Sequence, residues 1–288
     1  MKNSNIIIDG KKISETVIDE VRKDLLELKK RNIVPGLAVI IVGDDIGSKI
    51  YVARKKEMAI EVGMKSFVFE ISKDASTKEI TDKITELNHN KEIHGILVQL
   101  PLPKHVDTVS VINAITPYKD VDGFTVENVG KLVTNQDALV PCTPQGCLHL
   151  IKSVQKDIQG LHAVVIGRSQ IVGKPMADLL LHENCTVTVI HSKTRSPEKI
   201  SKTADIIVSA TGIPNLVDKE WVKDGCIVID VGISRINKNG KEILVGDVNF
   251  EQIKHIAKAI TPVPGGVGPM TISYLLKNTV KAASIVRK

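Results

Sequence analysis

Short apolar runs rich in β-branched residues recur along the chain, and an amphipathic stretch follows most of them. GLAVIIVG (36–43), KSFVFEI (65–71) and IHGILVQL (93–100) fall in the first half, and LHAVVIG, CTVTVIH, ADIIVSATG and GCIVIDVG in the second. A strand without polar alternation is buried on both faces, as in a parallel sheet covered by helices. The intervening segments have helical spacing. ISETVIDEVRKDLLELKK (13–30) aligns Val17, Val21, Leu25 and Leu28, with Ser14 as its expected cap. Ser48–Glu61 suits a helix, and STKEITDKITELN (76–88) opens another on a capping serine. This βαβα order predicts an α/β fold with parallel sheets. The 288 residues suffice for two domains, with VPCTPQGC (140–147), carrying two prolines and a glycine, as the expected joint. A last helical pattern is expected after Pro269.

Composition removes several classes of function. Aromatics are 3% of the chain, too few for base-stacking platforms. The formal charge of +6 comes from lysines scattered without a basic block, so it reads as solvated surface suited to an anionic small substrate, with no nucleic-acid partner. No apolar stretch has the length of a membrane span, and MKNSNIIIDGKK lacks a signal-peptide core, so a cytoplasmic protein without a membrane partner is expected. Cys142, Cys147, Cys185 and Cys226 form no C-x-x-C and join no histidine pair, so buried reduced thiols and no metal are expected.

The second half holds VVIGRSQIVGKP (164–175), a strand, a glycine turn and the start of a helix. The ordinary dinucleotide fingerprint is G-x-G-x-x-G, whereas here Arg168 and Ser169 follow Gly167, and the next glycine is Gly173. Gly167 would let the turn close, Gly173 would allow close packing, and Pro175 suits an early helix position. A helix N-terminus so placed faces an anion, although a plain strand–helix turn is an open alternative for this loop alone. Ligands of parallel sheets gather at the carboxyl ends of the strands. The four runs would end there at Gly167, His191–Ser192, Thr211–Gly212 and Gly232–Ile233. Where an NAD site puts a carboxylate on the ribose, the second run ends in HSKTR (191–195). That hydroxyl and those cations, with Arg168, would attract a 2′-phosphate, so the reading is NADP. By itself HSKTR is equally a polar loop.

Three pieces of the first half carry reactive groups. Tyr51 and Lys55 share a helix face in IYVARKKEMA, which is also what a surface pair would look like. Gln99 ends a buried strand in ILVQLPLP, either as a satisfied strand end or as a partner for a buried group. Asp120 and Asp122 precede Gly123 in KDVDGF, a spacing that an ordinary turn also explains. Taken together, a lysine desolvated in a pocket would lose proton affinity and serve as an acid or base near neutral pH. The glutamine would fix it without adding charge, and the phenol would orient a ring or relay a proton.

YVARK, GILVQLPLP, KDVDGF, PCTPQGC, VVIGRSQIVGKP, HSKT, GDV and TPVPGGVGPMT occur in an order that resembles the bifunctional methylenetetrahydrofolate dehydrogenase/cyclohydrolase family over essentially the whole chain. The resemblance implies two α/β domains flanking a cleft. Residues 1–140 with 270–288 would form a folate-binding catalytic domain, the C-terminal helix returning to it, and 141–269 a Rossmann-type NADP domain. It implies oxidation of methylenetetrahydrofolate by NADP and hydrolysis of the methenyl product to formyltetrahydrofolate, feeding purine, histidine and methionine synthesis. Lys55 would be the acid–base group, Gln99 its holder, Tyr51 the residue orienting folate and lysine, and Asp122 the partner of the pterin. Pro101, Pro264, Gly265 and Gly266 would border the substrate. Gly167, Arg168, Ser169, Gly173, Ser192, Thr211, Gly212 and Ile233 would bind NADP, and a homodimer would join through the cofactor domains. Glu57, Thr125–Val126 and Asn249 depart from the family's frequent residues. A shikimate-dehydrogenase-like enzyme and a non-catalytic NADP sensor are the competing readings. A short-chain dehydrogenase is excluded because Tyr51 precedes Gly167.

Overall fold

The apolar runs of the two halves build two separate parallel sheets. The computed structural model describes residues 6–238 and 240–285. Its elements begin with β1 (Ile6–Ile7), α1 (Gly10–Lys30), β2 (Gly36–Val42), α2 (Ile46–Glu61), β3 (Lys65–Ile71), α3 (Thr77–His89) and β4 (Gly95–Val98). Then come α4 (Thr108–Asn113), α5 (Val126–Val133), α6 (Cys142–Val154), β5 (His162–Ile166), α7 (Gly173–His182), β6 (Thr186–Ile190), α8 (Pro197–Ser201), β7 (Ile206–Ser209) and β8 (Ile227–Asp230). A hairpin of β9 (Ser234–Lys238) and β10 (Lys241–Val245) leads to α9 (Phe250–Ile253), β11 (Ala259–Ile260) and α10 (Val267–Ser284). The chain divides into a first unit, Thr16–Cys142 with Ile272–Lys288, and a second, Met1–Glu15 with Thr143–Thr271.

In the first unit β2 lies between β3 and β4, all parallel. Every residue of β2 and β4 is buried, as their composition requires. The two-residue period of a strand divides β2 between two cores. Leu37, Val39 and Ile41 pack with Val52 and Ala59 of α2 and Leu275 and Leu276 of α10. Ala38, Ile40 and Val42 pack with Ile80, Ile84 and Leu87 of α3. The last helix therefore supplies part of one core, through Leu275, Leu276, Val280, Ala282 and Ala283. Ser76 caps α3 in a reciprocal box, its Oγ accepting from the Glu79 amide at 3.2 Å while Glu79 Oε2 accepts from the Ser76 amide at 2.7 Å.

Two local expectations are corrected and a third is refined. Ser14 does not cap α1, which starts at Gly10. Asp9 Oδ1 accepts the Lys12 amide, and the Ser14 hydroxyl donates to the Lys11 carbonyl inside the helix. The VPCTPQGC stretch does hold the division between the units, at Cys142–Thr143, but it is helical: α6 starts at Cys142 and takes Pro144 into its first turn, where a missing N–H costs no helical bond. The last helix begins at Val267, so Pro269 is likewise inside a first turn.

The second unit's sheet runs β1-β11-β8-β7-β5-β6, all parallel. Residues 6–15 belong here rather than with the first unit, for a visible reason. Ile6 pairs with Ala259, the Ile8 amide donates to Ile260 O at 2.8 Å, and a Cβ on Gly10 would come within 1.8 Å of Gly266 O. From β5 the chain goes outward to β6 and then back across to β7, so the strand order reverses between β5 and β7. A crevice for a ligand opens at such a reversal. β6 is the edge strand and is not buried on both faces: Thr186 and Val189 are exposed. Among the described residues no helix is long and apolar enough to cross a membrane, and all four cysteines are free and buried.

Candidate active site

The first unit concentrates its reactive groups around one amine. α2 carries Tyr51 and Lys55 one turn apart, as the spacing predicts. Lys55 is only 5% exposed. Its Nζ donates to Gln99 Oε1 at 3.0 Å, just beyond the end of β4, and Gln99 Nε2 is fixed by the Leu100 carbonyl at 2.8 Å. Pro101 follows across a cis peptide bond. The Lys55 Nζ lies 4.5 Å from the centroid of the Tyr51 ring, so it is the face of the ring that the amine meets. Desolvation lowers the lysine's proton affinity, opposed by the negative charge of Asp122 and the neighbouring Cys142. Burial pushes the Asp122 carboxyl up to about 6, against the pull of Lys55. An amine and a carboxyl brought toward each other in proton affinity can exchange protons with a bound substrate at little cost.

The two aspartates of KDVDGF have separate tasks. Asp120 is buried and accepts the Gly123 amide at 3.0 Å, the Thr125 amide at 2.8 Å and Asn128 Nδ2 at 3.0 Å, so it builds the turn. Lys119 anchors the same loop, donating to the carbonyls of Leu87, Asn88 and Asn90 at the end of α3. That leaves Asp122 as the residue beside Lys55. Two neighbours escaped the sequence reading. Cys142 Sγ donates to Val121 O at 3.3 Å and lies 3.9 Å from Asp122 Oδ1. Asn278 of α10 donates to the carbonyls of Val121 and Val140, both at 2.8 Å. A buried amide on the apolar face of the last helix was their one sequence signal. Of the departures, Thr125 caps α5 and Asn249 caps α9, and Val126 is exposed at the first helical position. Glu57 is exposed on α2.

In the second unit the four strand endings come level at one edge. The Gly167 amide donates to Ile190 O, the Ala210 amide to Ile166 O and the Val231 amide to Ser209 O. Gly167 has φ +118°, and a Cβ there would meet Ala210 O at 2.4 Å. A Cβ on Gly173 would meet Gly167 O at 2.4 Å, so the loop closes on itself through these two glycines. Ser169 Oγ accepts from the amides of Val172 and Gly173, both at 3.2 Å, capping α7 with the loop's own hydroxyl. The helix's first donors are thereby occupied, contrary to expectation. The amides of the exposed residues Arg168, Ser169, Gln170 and Ile171 meet no acceptor among the described residues. Ser192, Lys193 and Arg195 are exposed on a tight turn held by the His191 amide on Thr194 Oγ1 and the Thr194 amide on His191 O. Gly212 has φ +70° with open space where its Cβ would stand, its neighbour Thr211 is partly buried, and Ile233 is 61% exposed.

Pro264, Gly265 and Gly266 also lie in the second unit. Gly265, at φ +105°, has open space at its Cβ position, whereas Gly266 is packed on Pro262 O and Thr261. Gly266 is thus required by the chain's own backbone. Among the described residues no three His, Cys, Asp or Glu side chains gather as a metal site.

The model of the tetrahydrofolate dehydrogenase/cyclohydrolase catalytic domain matches residues 8–122, and that of the NAD(P)-binding domain of the same family matches 141–287. The chain is 53% identical over 279 residues to the bifunctional protein FolD 3 of Ectopseudomonas mendocina, covering 97% of this chain and 91% of that one. The solved bifunctional FolD from Campylobacter jejuni superposes with a TM-score of 0.92 at 44% identity, covering 96% and 98% of the two chains. A Trypanosoma brucei methylenetetrahydrofolate dehydrogenase-cyclohydrolase, solved with NADP cofactor and inhibitor, gives 0.93 at 38%, covering 97% of each.

Proposed function

The chain belongs to the tetrahydrofolate dehydrogenase/cyclohydrolase family, and from that premise we propose how its residues divide the work. It is a bifunctional methylenetetrahydrofolate dehydrogenase and methenyltetrahydrofolate cyclohydrolase using an NAD(P) cofactor. In the first step the methylene carbon gives a hydride to the nicotinamide and becomes a methenyl cation. In the second, water adds to that carbon, a C–N bond breaks, and formyltetrahydrofolate is released. The shikimate-type alternative loses its support, because both halves match this one family.

The first unit takes the folate and the acid–base chemistry. Lys55 accepts the proton of the attacking water and returns one to the departing ring nitrogen, Gln99 holds the amine, and the Tyr51 ring orders amine and folate. Asp122 accepts from the pterin N–H and amino groups, and Pro101, Pro264 and Gly265 border the substrate. The methenyl carbon is already electrophilic, so geometry and a proton carrier suffice. The observation that carries this reading is the buried Lys55 Nζ at 3.0 Å from a neutral amide oxygen.

The second unit takes NADP. The amides from Arg168 to Ile171 cradle the pyrophosphate, Gly167 and Gly173 shape the loop, and Thr211, Gly212 and Ile233 line the cofactor. Arg168 with Ser192 holds the 2′-phosphate, which gives preference for NADP over NAD. A homodimer forms through the second units, a reading supported by the partly exposed edge strand β6. The enzyme works in the cytoplasm on small molecules, with no membrane or nucleic-acid partner. Purified protein given methylenetetrahydrofolate and either dinucleotide tests the two reactions and the cofactor preference: NADPH and methenyl absorbance should rise first and methenyl absorbance decay. Absence of both signals would overturn the assignment.

A further inference from the structure

Two carboxylates meet at the carboxyl edge of the second unit's sheet, and neither has an ion-pair partner among the described residues. Asp230, which ends β8, is 3% exposed, and Asp247, just beyond β10, is 0% exposed. Asp230 Oδ1 accepts the amides of Gly232 at 3.0 Å and Asp247 at 2.9 Å, and its Oδ2 that of Val248 at 3.0 Å. Asp247 Oδ2 accepts the Ser209 hydroxyl at 3.1 Å and the Thr211 amide at 2.6 Å, while its Oδ1 is buried without a partner among the described residues. The glycines around the pair admit it: a Cβ on Gly232 would reach 2.1 Å from Asp247 Oδ1, and one on Gly246 would reach 1.9 Å from Asp230 Oδ2. Burial, together with Asp247 alongside, pushes the Asp230 carboxyl up to about 7.

Burying two acids without a cation costs stability. What the arrangement supplies is a rigid link between two turns of separate strands. Asp247 holds the turn after β7 by Thr211, and Asp230, bonded to Asp247's own backbone, holds the turn after β8 by Gly232. We propose that Asp247 is a positioning residue for the dinucleotide, locking the Thr211–Gly212 turn to the Gly232–Ile233 turn so that both meet the cofactor in fixed register. This rests on the reading that those two turns line NADP.

The test begins with the wild-type enzyme. Amide NMR signals of Thr211, Gly212, Gly232 and Ile233 should move on addition of NADP; if they do not, the cofactor-site reading fails and the positioning role falls with it. Asp247→Asn keeps the shape but weakens the acceptor facing Thr211. It should raise the Kd for NADPH, followed by fluorescence, by about tenfold or more, and raise KM for NADP more than it lowers kcat at saturating cofactor. If the wild-type signals move and Asp247→Asn binds NADPH with unchanged Kd, the positioning role is overturned. Should Asp247→Asn fail to fold, Ser209→Ala removes one donor from the same oxygen and should raise Kd about two- to tenfold; a wild-type Kd there also overturns it.

Discussion

Lys55 and Gln99 stand 44 positions apart in the chain, and their Nζ and Oε1 atoms lie 3.0 Å apart. The buried amine is met by a neutral amide where a carboxylate would have held it as an ammonium, and desolvation remains the largest influence on its charge.

Lys55→Met removes the proposed proton carrier while filling its space. Cyclohydrolase turnover, followed by decay of methenyl absorbance, should fall by about 10²–10⁴. Thermal stability should hold or rise, because an apolar side chain replaces a desolvated amine. Wild-type hydrolysis in this variant would refute the role.

Gln99→Glu puts a negative charge where the amide oxygen now sits. An adjacent opposite charge raises a lysine's proton affinity, by about one to three pK units at close range. The pH profile of hydrolysis should move to higher pH by about one unit or more. An unmoved profile would separate Gln99 from the titration of Lys55.

Asp122 is pushed up to about 6, so it is ionised above that pH and neutral below it. A neutral carboxyl is a poorer acceptor for pterin N–H groups, and kcat/KM should therefore decline as pH falls through about 6. Asp122→Asn should be slow and lack that acid limb. A limb that persists in the variant belongs to another group.

Gly173→Ala would drive a Cβ to 2.4 Å from Gly167 O, a backbone atom that cannot swing aside. A loss of about 1–3 kcal/mol in unfolding free energy is expected, with weakened NADP binding. Gly130→Ala is the control, since its Cβ would meet nothing within 4 Å inside α5. It should stabilise by up to about 1 kcal/mol. Thermal melts of the two variants should move in opposite directions.

Arg168→Ala should lower kcat/KM for NADP by about tenfold or more, as loss of a charge-assisted bond to phosphate does, and leave NAD turnover nearly unchanged. Equal losses with both dinucleotides would mean that Arg168 contacts a group they share.

Strand identity was legible in β2 and β4 because burial on both faces leaves no polar alternation, and the less buried edge strand β3 also begins and ends where its composition says it should. The helix spacing of Tyr51 and Lys55 was equally plain. What stayed hidden were long-range pairings. Two residues, Ile6 and Ile7, carry too little pattern to announce β1, yet their bonding to β11 moves the chain's first stretch into the second unit. Ser14 and Ser169 show the limit of reading hydroxyls locally: one looks like a cap and is not, and the other, expected at the cofactor, also accepts the amides at the start of α7. Spacing alone does not separate Asp120 from Asp122; the family resemblance singled out Asp122, and the Gly123, Thr125 and Asn128 donors closing on Asp120 supply the physical reason.

Asn278, reaching from α10 to the carbonyls of Val121 and Val140, sets an order on synthesis. When the ribosome has made residue 271 the second unit has all of its strands, but the first unit still lacks the helical residues that complete its core and pin the Asp122 loop. The unit whose bulk is made first is thus finished last, and a chain released a few turns early would have the whole sheet of the second unit and an incomplete core in the first.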